Sequence, residues 1–351
     1  MTFPVMFAHR YELRAHLGTG GQGEVYEALD LHEQEAVALK LLRSALNPLG
    51  LWTEAAVLRR LHDHHILPIR NADIHAGQPF LATVLASHGS IEDRIAASGL
   101  AGLKTDDTVR WIREACHGIS RGHDQGLLHN DIKPANLFLN DKDECVVADW
   151  GYASLADPTT GLARVPGATA ETVAPEVAAA WGNPWATARS DVYSLGATAY
   201  WMLSGQPPVD LSGLVGVARM NGAASGVPIR LQDVAPHVPR WIRDRVEKAM
   251  ARDPASRYAS AHAFAADLGN RPSLSRKWIR TDEHSGHIAC WRGIPEHGVT
   301  YVMCMEAGST VARRTITTVS ANSGNRISRG CSTATKSTWP AVVRRLITAL
   351  S

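Results

Sequence analysis

Two acids, a lysine and an asparagine stand close together in His129-Asn130-Asp131-Ile132-Lys133-Pro134-Ala135-Asn136-Leu137 and, 13 residues after Asn136, Asp149-Trp150-Gly151. A carboxylate at Asp131 can accept the proton of an attacking hydroxyl. Lys133, two residues on, can neutralise charge on a moving phosphoryl group. Asn136 and Asp149 offer the hard oxygen ligands that Mg²⁺ takes together with phosphate and water. As a set, these groups match what phosphoryl transfer from a Mg-bound nucleotide needs. Chance assembly of H-x-D-x-K-P-x-N-L followed by D-aromatic-G is negligible.

Upstream, Gly18-Thr19-Gly20-Gly21-Gln22-Gly23-Glu24-Val25 fits G-x-G-x-x-G-x-V. Glycines let backbone approach phosphates and present N–H donors to them, although a plain Gly-rich hairpin turn reads the same way. A dinucleotide fold would start a helix at once. Val25-Tyr26-Glu27-Ala28 instead continues as a strand, which favours a flap over ATP. Lys40 closes the apolar strand Val37-Ala38-Leu39-Lys40. Residues 51–61 carry Ala55, Leu58 and Leu61 at helical spacing. Glu54 on that helix is the expected partner that turns Lys40 toward the phosphates; the plainer alternative for Glu54 is a solvated helix charge.

The elements that must hold these groups are legible in outline. Segments 11–17, 24–29, 36–41 and 79–86 read as strands, and 109–122, 190–203 and 241–251 as helices. The 351 residues, 45% hydrophobic and 20% charged, have the make-up of a globular protein with a substantial core. No apolar run nears the ~18–20 residues of a membrane span, and five scattered cysteines suit a reducing cytoplasm better than a disulfide framework. Net charge is uneven. Up to Gly269 there are 30 acidic against 24 basic side chains; after it, 12 basic against 4 acidic. Texture changes at the same place, so a domain boundary is expected near 269/270.

These motifs resemble the eukaryotic-type (Hanks-type) serine/threonine protein kinases, of the kind also found in bacteria and their phages. The resemblance runs through Ala174-Pro175-Glu176, Asp191-Val192-Tyr193-Ser194-Leu195-Gly196 and Arg257 after Asp253-Pro254. It implies an α+β, bilobal fold over residues 8–269: a β-rich N-lobe with one helix (8–86) and a helical C-lobe (87–269). A small basic α+β region of unknown function, 270–351, would follow.

It also implies site roles, with ATP and Mg²⁺ (or Mn²⁺) as cofactors and protein Ser/Thr hydroxyls as acceptors. Asp131 and Lys133 would be catalytic, and Lys40 with Glu54 would orient phosphates. Gly18, Thr19, Gly20, Gly23, Val25, Ala38, Thr83, Val84 and Ala86 would surround the nucleotide, Thr83 as gatekeeper and Val84 and Ala86 through backbone hydrogen bonds to adenine. Asn136 and Asp149 would hold the metal. Thr169 would touch Asp131 and Lys133, Asp191 would brace the catalytic loop, and Glu176 would pair with Arg257.

Two positions depart from the family pattern. Asn130 replaces the arginine that holds a phosphorylated activation segment in related kinases. Activity independent of phosphorylation at Ser154, Thr159, Thr160 or Thr172 is therefore expected. Trp150 replaces the usual phenylalanine and removes no catalytic group. The opposing readings are an ATP-binding, pseudokinase-like scaffold and a small-molecule kinase; the complete Ala174-Pro175-Glu176 motif argues against the second.

In 270–351, segments 288–291, 300–305 and 315–319 read as strands and 339–350 as an amphipathic helix. Its excess positive charge suits an acidic partner, nucleic acid, or the acidic kinase part itself. His284-x-x-His287-x-x-Cys290, with Cys304 or Cys331 beyond, carries zinc-ligand types at a spacing that matches no standard module.

Overall fold

Strand alternation builds the first layer. The computed structural model describes residues 3–20, 23–43, 61, 63–99, 102–272, 274–281 and 284–351. Strands β1 (Val5–Phe7), β2 (Tyr11–Gly20), β3 (Gly23–Asp30), β4 (Glu35–Leu42), β5 (Ile69–His75) and β6 (Gln78–Val84) pair antiparallel in the order β1-β2-β3-β4-β6-β5. One face buries Tyr11, Leu13, Tyr26, Ala28, Val37, Leu39, Phe80 and Ala82 together. Side chains one residue out of phase lie on the other face, where the register aligns Val25 with Lys40 and Ala38 with Thr83. Gly23 is needed for packing: a Cβ there would sit 2.1 Å from the Leu41 carbonyl oxygen. Residues 51–60 of the expected helix at 51–61, Glu54 among them, lie outside the described residues.

A larger helical unit follows. Helix α1 (Ile91–Ser98) starts from a Ser90/Asp93 capping box. Helix α2 (Thr105–Asp124) buries Val109, Ile112, Ala115, Cys116 and Ile119 along one stripe. Short strands β7 (Leu127–Leu128), β8 (Leu137–Leu139), β9 (Cys145–Val147), β10 (Ser154–Leu155), β11 (Ala163–Arg164) and β12 (Trp185–Ala186) carry the loops between. Around them stand α3 (Pro175–Ala179), α4 (Ala188–Ser204), α5 (Gly216–Ser225), α6 (Leu231–Val234), α7 (Arg240–Ala249) and α8 (Ala261–Gly269). Helix α4 is buried nearly all round, the pattern of a central helix. This is the α+β, two-lobed arrangement that the motifs implied.

After α8, a five-stranded antiparallel meander forms from β13 (Arg276–Thr281), β14 (Ala289–Pro295), β15 (Tyr301–Ala307), β16 (Arg313–Ser320) and β17 (Ser332–Thr335). Helix α9 (Trp339–Leu350) lays Val343, Leu346, Ile347 and Leu350, an i, i+3, i+4, i+7 stripe, on Trp278, Trp291, Met303, Met305 and Ile316. Cys290, Val302 and Cys304 cluster separately, on the opposite parity of the same strands.

The meander rests on the helical lobe. Lys277 bonds Asp106 at 2.7 Å, and the Arg344 guanidinium reaches the Gln232 carbonyl at 3.4 Å. Beside this contact His237 is buried in the α6–α7 connection. Burial, with positive charge from Arg280 of β13, pushes its imidazole from 6.5 down to about 3. The folded chain thus keeps His237 neutral where the unfolded chain protonates it. The unfolded state binds more protons across that window, so this contribution is full above about pH 6.5 and is lost as pH falls toward 3. Thermal unfolding should show a drop in melting temperature between about pH 7 and about pH 5, and the drop should be shallower for His237→Gln.

Candidate phosphotransfer site

The catalytic loop hangs on one buried carboxylate. Asp191, near the start of α4, accepts the His129 N–H at 2.8 Å and the Asn130 N–H at 3.0 Å. His123 of α2 donates to it through Nε2 at 2.8 Å. Burial is the strongest single influence and would raise this carboxyl; the bond and charge of His123, added to those of His129, together outweigh it and hold the group below the usual range. His129 is fixed in turn: Nε2–H donates to the Ala148 carbonyl at 3.1 Å, and Nδ1 accepts the Asp131 N–H at 3.2 Å. That pairing requires the Nε2–H tautomer.

Asp131, Lys133 and Thr169 close a triangle. Lys133 Nζ lies 2.7 Å from Asp131 Oδ2 and 2.9 Å from Thr169 Oγ1, and the Thr169 hydroxyl donates to Asp131 Oδ1 at 2.6 Å. Asn136 donates through Nδ2 to the Asp131 backbone carbonyl at 2.8 Å and to Oδ2 at 3.1 Å. With both bonds made by its amide nitrogen, Asn136 keeps its oxygen for another partner. The β8–β9 register aligns Leu137 with Val147, and the Ala148 N–H bonds the Asn136 carbonyl at 2.9 Å. The register therefore brings Asn136 and Asp149 to the same end of one two-stranded ribbon.

Asp149 takes a left-handed backbone (φ 56°) and accepts from Lys40 Nζ at 2.8 Å. Burial works to raise its carboxyl, but the Lys40 ammonium prevails and holds it low. A neutral amide oxygen and an ionised carboxylate are the donor chemistry Mg²⁺ accepts, so these residues fit the metal. Lys40 thus joins the sheet lobe to the metal loop. Its expected partner Glu54 lies outside the described residues. Gly18, Thr19 and Gly20 sit on β2 and Gly23 on β3, paired Gly18 with Val25 and Gly20 with Gly23. The tip between them, residues 21–22, is likewise outside the described set.

Val84 and Ala86 pack against Leu67, Val146 and Ala148, together with Phe138. Phe138 was not singled out by motif reading. Its signal was alternation, since Leu137 and Leu139 are fully buried and Phe138 faces the other way. His123 was also missed, because its role depends on the α2–α4 packing.

The two unusual residues have local explanations. Asn130 adopts φ 67°, a left-handed conformation that asparagine tolerates better than most residues. Its Nδ2 donates at 2.8 Å to the Tyr152 carbonyl and at 2.8 Å to Ser154 Oγ. Trp150 is fully buried, 4.7 Å from the His129 ring. The indole fits because residue 122 of α2 is glycine: a Cβ there would meet Trp150 Cη2 at 2.6 Å. Thr172 is buried, whereas Thr159 and Thr160 are exposed.

Further out, Arg257 and Glu176 form a bidentate pair at 2.8 and 2.6 Å, with Ser190 donating to the same carboxylate at 3.0 Å. Arg257 also donates to the Ala251 and Arg189 carbonyls.

Residues 11–268 match the protein kinase domain. The chain belongs to the protein kinase family and, within it, to the Hanks-type serine/threonine kinases. The serine/threonine-protein kinase PknB of Mycobacterium leprae is 32% identical over 280 residues, covering 76% of this chain and 44% of that protein. PknL of Mycobacterium tuberculosis is 32% identical over 268 residues, covering 74% of this chain and 65% of that protein. The chain thus spans less than half the length of PknB. The crystal structure of the Mycobacterium tuberculosis PknI kinase domain superimposes with a TM-score of 0.58 at 26% identity, covering 77% of this chain and 98% of that one. Among the described residues, no helix is long and apolar enough to cross a membrane.

Two substitutions test the packing around the site. Arg257→Ala strands Glu176 and should cost about 3 kcal/mol in urea unfolding, the low end for such pairs because Glu176 is 31% exposed. Gly122→Ala adds about 0.5–1 kcal/mol of helix propensity, but overpacking against Trp150 should cost about 1–3 kcal/mol and win. Trp150→Phe in the Gly122→Ala background should recover stability; a loss larger than that of either single change would contradict the contact.

Proposed function

We propose that this chain transfers the γ-phosphate of ATP to serine and threonine hydroxyls of proteins, itself included. The observation that carries the reading is the Asp131–Lys133–Thr169 triangle with Asn136 bonded into it. Asp131 accepts the proton of the incoming hydroxyl. Lys133, already held against it, offsets charge on the transferring group, and Thr169 keeps the Asp131 carboxylate turned toward the cleft. Asn136 and Asp149 would hold Mg²⁺ (or Mn²⁺), which supplies charge neutralisation along the phosphates when bound. Lys40, beside Asp149, would contact the α- and β-phosphates, with Glu54 as its second anchor. Gly18, Thr19, Gly20 and Gly23 would cover them. Val25 and Ala38 would lie above adenine with Phe138 below, Thr83 would guard the rear, and Val84 and Ala86 would supply backbone hydrogen bonds.

Residues 8–269 would form the catalytic domain and 270–351 a separate basic domain, in a cytoplasmic protein. Asn130 supports activity without activation-segment phosphorylation. Its neutral amide is bonded to Tyr152 and Ser154, so the start of the segment is ordered without a phosphate. An acidic partner or nucleic acid for 270–351 rests on net charge alone.

Incorporation of labelled phosphate from ATP with Mg²⁺ decides between enzyme and scaffold. Wild type should label itself; Asp131→Asn and Lys40→Met should each lose about 10²–10⁴-fold in rate or more. ATP binding without incorporation by wild type would favour the scaffold. The Thr159→Ala/Thr160→Ala double variant should keep wild-type activity towards an added protein substrate. Collapse of that activity in a folded protein would restore dependence on the segment.

A further inference from the structure

The loop leading into β14, the start of β14 and the middle of β15 bring together four side chains that the phosphotransfer site does not use. His284, His287, Cys290 and Cys304 each place one ligand atom within 4.8 Å of all the others. His284 Nδ1 lies 3.2 Å from Cys304 Sγ and 3.6 Å from Cys290 Sγ. His287 Nδ1 lies 3.4 Å from Cys290 Sγ, and the two sulfurs are 3.2 Å apart. We propose that these four residues form a tetrahedral His₂Cys₂ zinc site that fastens the 284–288 loop to the C-terminal sheet.

The four separations, 3.2–3.6 Å, approach those of a coordination shell, with the two sulfurs about half an ångström closer than a bound zinc would hold them. Zinc bonds of about 2.3 Å to sulfur and about 2.0–2.1 Å to nitrogen give tetrahedral edges of roughly 3.3–3.8 Å. A disulfide would bring the sulfurs to about 2.05 Å and would leave both imidazoles without a reason to converge. Two thiolates cancel the charge of Zn²⁺, which matters because Cys290 and Cys304 are both buried. A mixed N₂S₂ set suits zinc, whereas oxygen ligands suit Mg²⁺ or Ca²⁺. The outer shell is also present. His287 faces the metal position with Nδ1 while its Nε2 lies 3.2 Å from the Glu306 carboxylate, the arrangement that fixes tautomer and orientation in metal-bound histidines.

Strand pairing supplies the fourth ligand. Cys290 and Cys304 are direct cross-strand partners, so the β14–β15 register brings Cys304 beside the H-x-x-H-x-x-C run. Cys331 is placed elsewhere, bonded to the Ile327 carbonyl. Four protein ligands leave no open position, which makes the site structural. It lies on the Cys290/Val302/Cys304 face, across the sheet from the helix α9 core.

The test uses the full chain, grown with zinc and purified under reductant. Mass-spectrometric metal analysis should find about one zinc per chain. Cobalt(II) added to the reduced, zinc-stripped protein should give tetrahedral visible bands and a thiolate charge-transfer band. Cys304→Ser should weaken binding at least tenfold, Glu306→Gln should weaken it about 10–100-fold, and Cys331→Ser should still hold one zinc. His284→Cys keeps four ligands and should bind cobalt with a band pattern shifted toward a three-thiolate site, even if the serine variant fails to fold. Absence of zinc together with absence of cobalt bands in the reduced wild type would overturn the site. So would a Cys290–Cys304 disulfide in protein that was never exposed to oxidant.

Discussion

A single buried carboxylate sets the geometry of the catalytic loop. Asp191 accepts two successive backbone N–H groups and a histidine side chain while nearly sealed from water. A charge so placed is tolerable only when its lone pairs are used, and removing one partner leaves the rest of the cost standing. The consequence is geometric. Holding the His129 and Asn130 N–H groups to one carboxylate turns Asn130 into the left-handed region, and that turn aims Asp131 at Lys133 and Thr169. Helices α2 and α4 therefore do not merely surround the loop; through His123 and Asp191 they dictate its conformation.

Seen from that brace, Asn130 and Trp150 are local solutions. A left-handed backbone favours asparagine, and the same amide ties down Tyr152 and Ser154 by neutral hydrogen bonds. An arginine would need an anion to make comparable use of its charge. Trp150 extends the hydrophobic contact beneath His129, and Gly122 supplies the room. Such pairs are coupled, because a large residue in a close-packed core is accommodated by a small one opposite.

How much of this could be read from the chain depends on what each residue was paired with. Asp131, Lys133, Asn136 and Asp149 were legible because their spacing is short and chemically dense, and the structure brings the first three into direct contact. The long helices were legible because α2 and α9 bury one clear stripe. In the two larger sheets the unread strands, β1, β5, β13 and β17, all lie at edges, and the unread short strands β7–β12 form two-stranded ribbons that are all edge. There, one side of the backbone is unpaired and charged or polar residues blunt it, as in Arg276-Lys277-Trp278-Ile279-Arg280-Thr281, so period-two burial is weak. His123 was hidden for another reason: its role depends on a contact with Asp191, far along the chain, while the choice of Cys304 over Cys331 needed the β14–β15 register.

The same distinction changes the meaning of the C-terminal charge. Counted along the chain, residues 270–351 look strongly basic. In the fold, Lys277 and Arg271 both face Asp106, and Arg344 leans on the Gln232 carbonyl. Arg276 stacks over Tyr301 at 4.0 Å while bonding the Gly293, Val299 and Leu350 carbonyls. These cations fasten the meander to the lobe below it and to its own terminal helix. A field that could attract a polyanion depends on charge facing outward together, and the net charge therefore overstates it. At the seam itself the attachment runs through Asp106, shared by Lys277 and Arg271, and through the Gln232 carbonyl under Arg344, with neutral His237 sealed nearby.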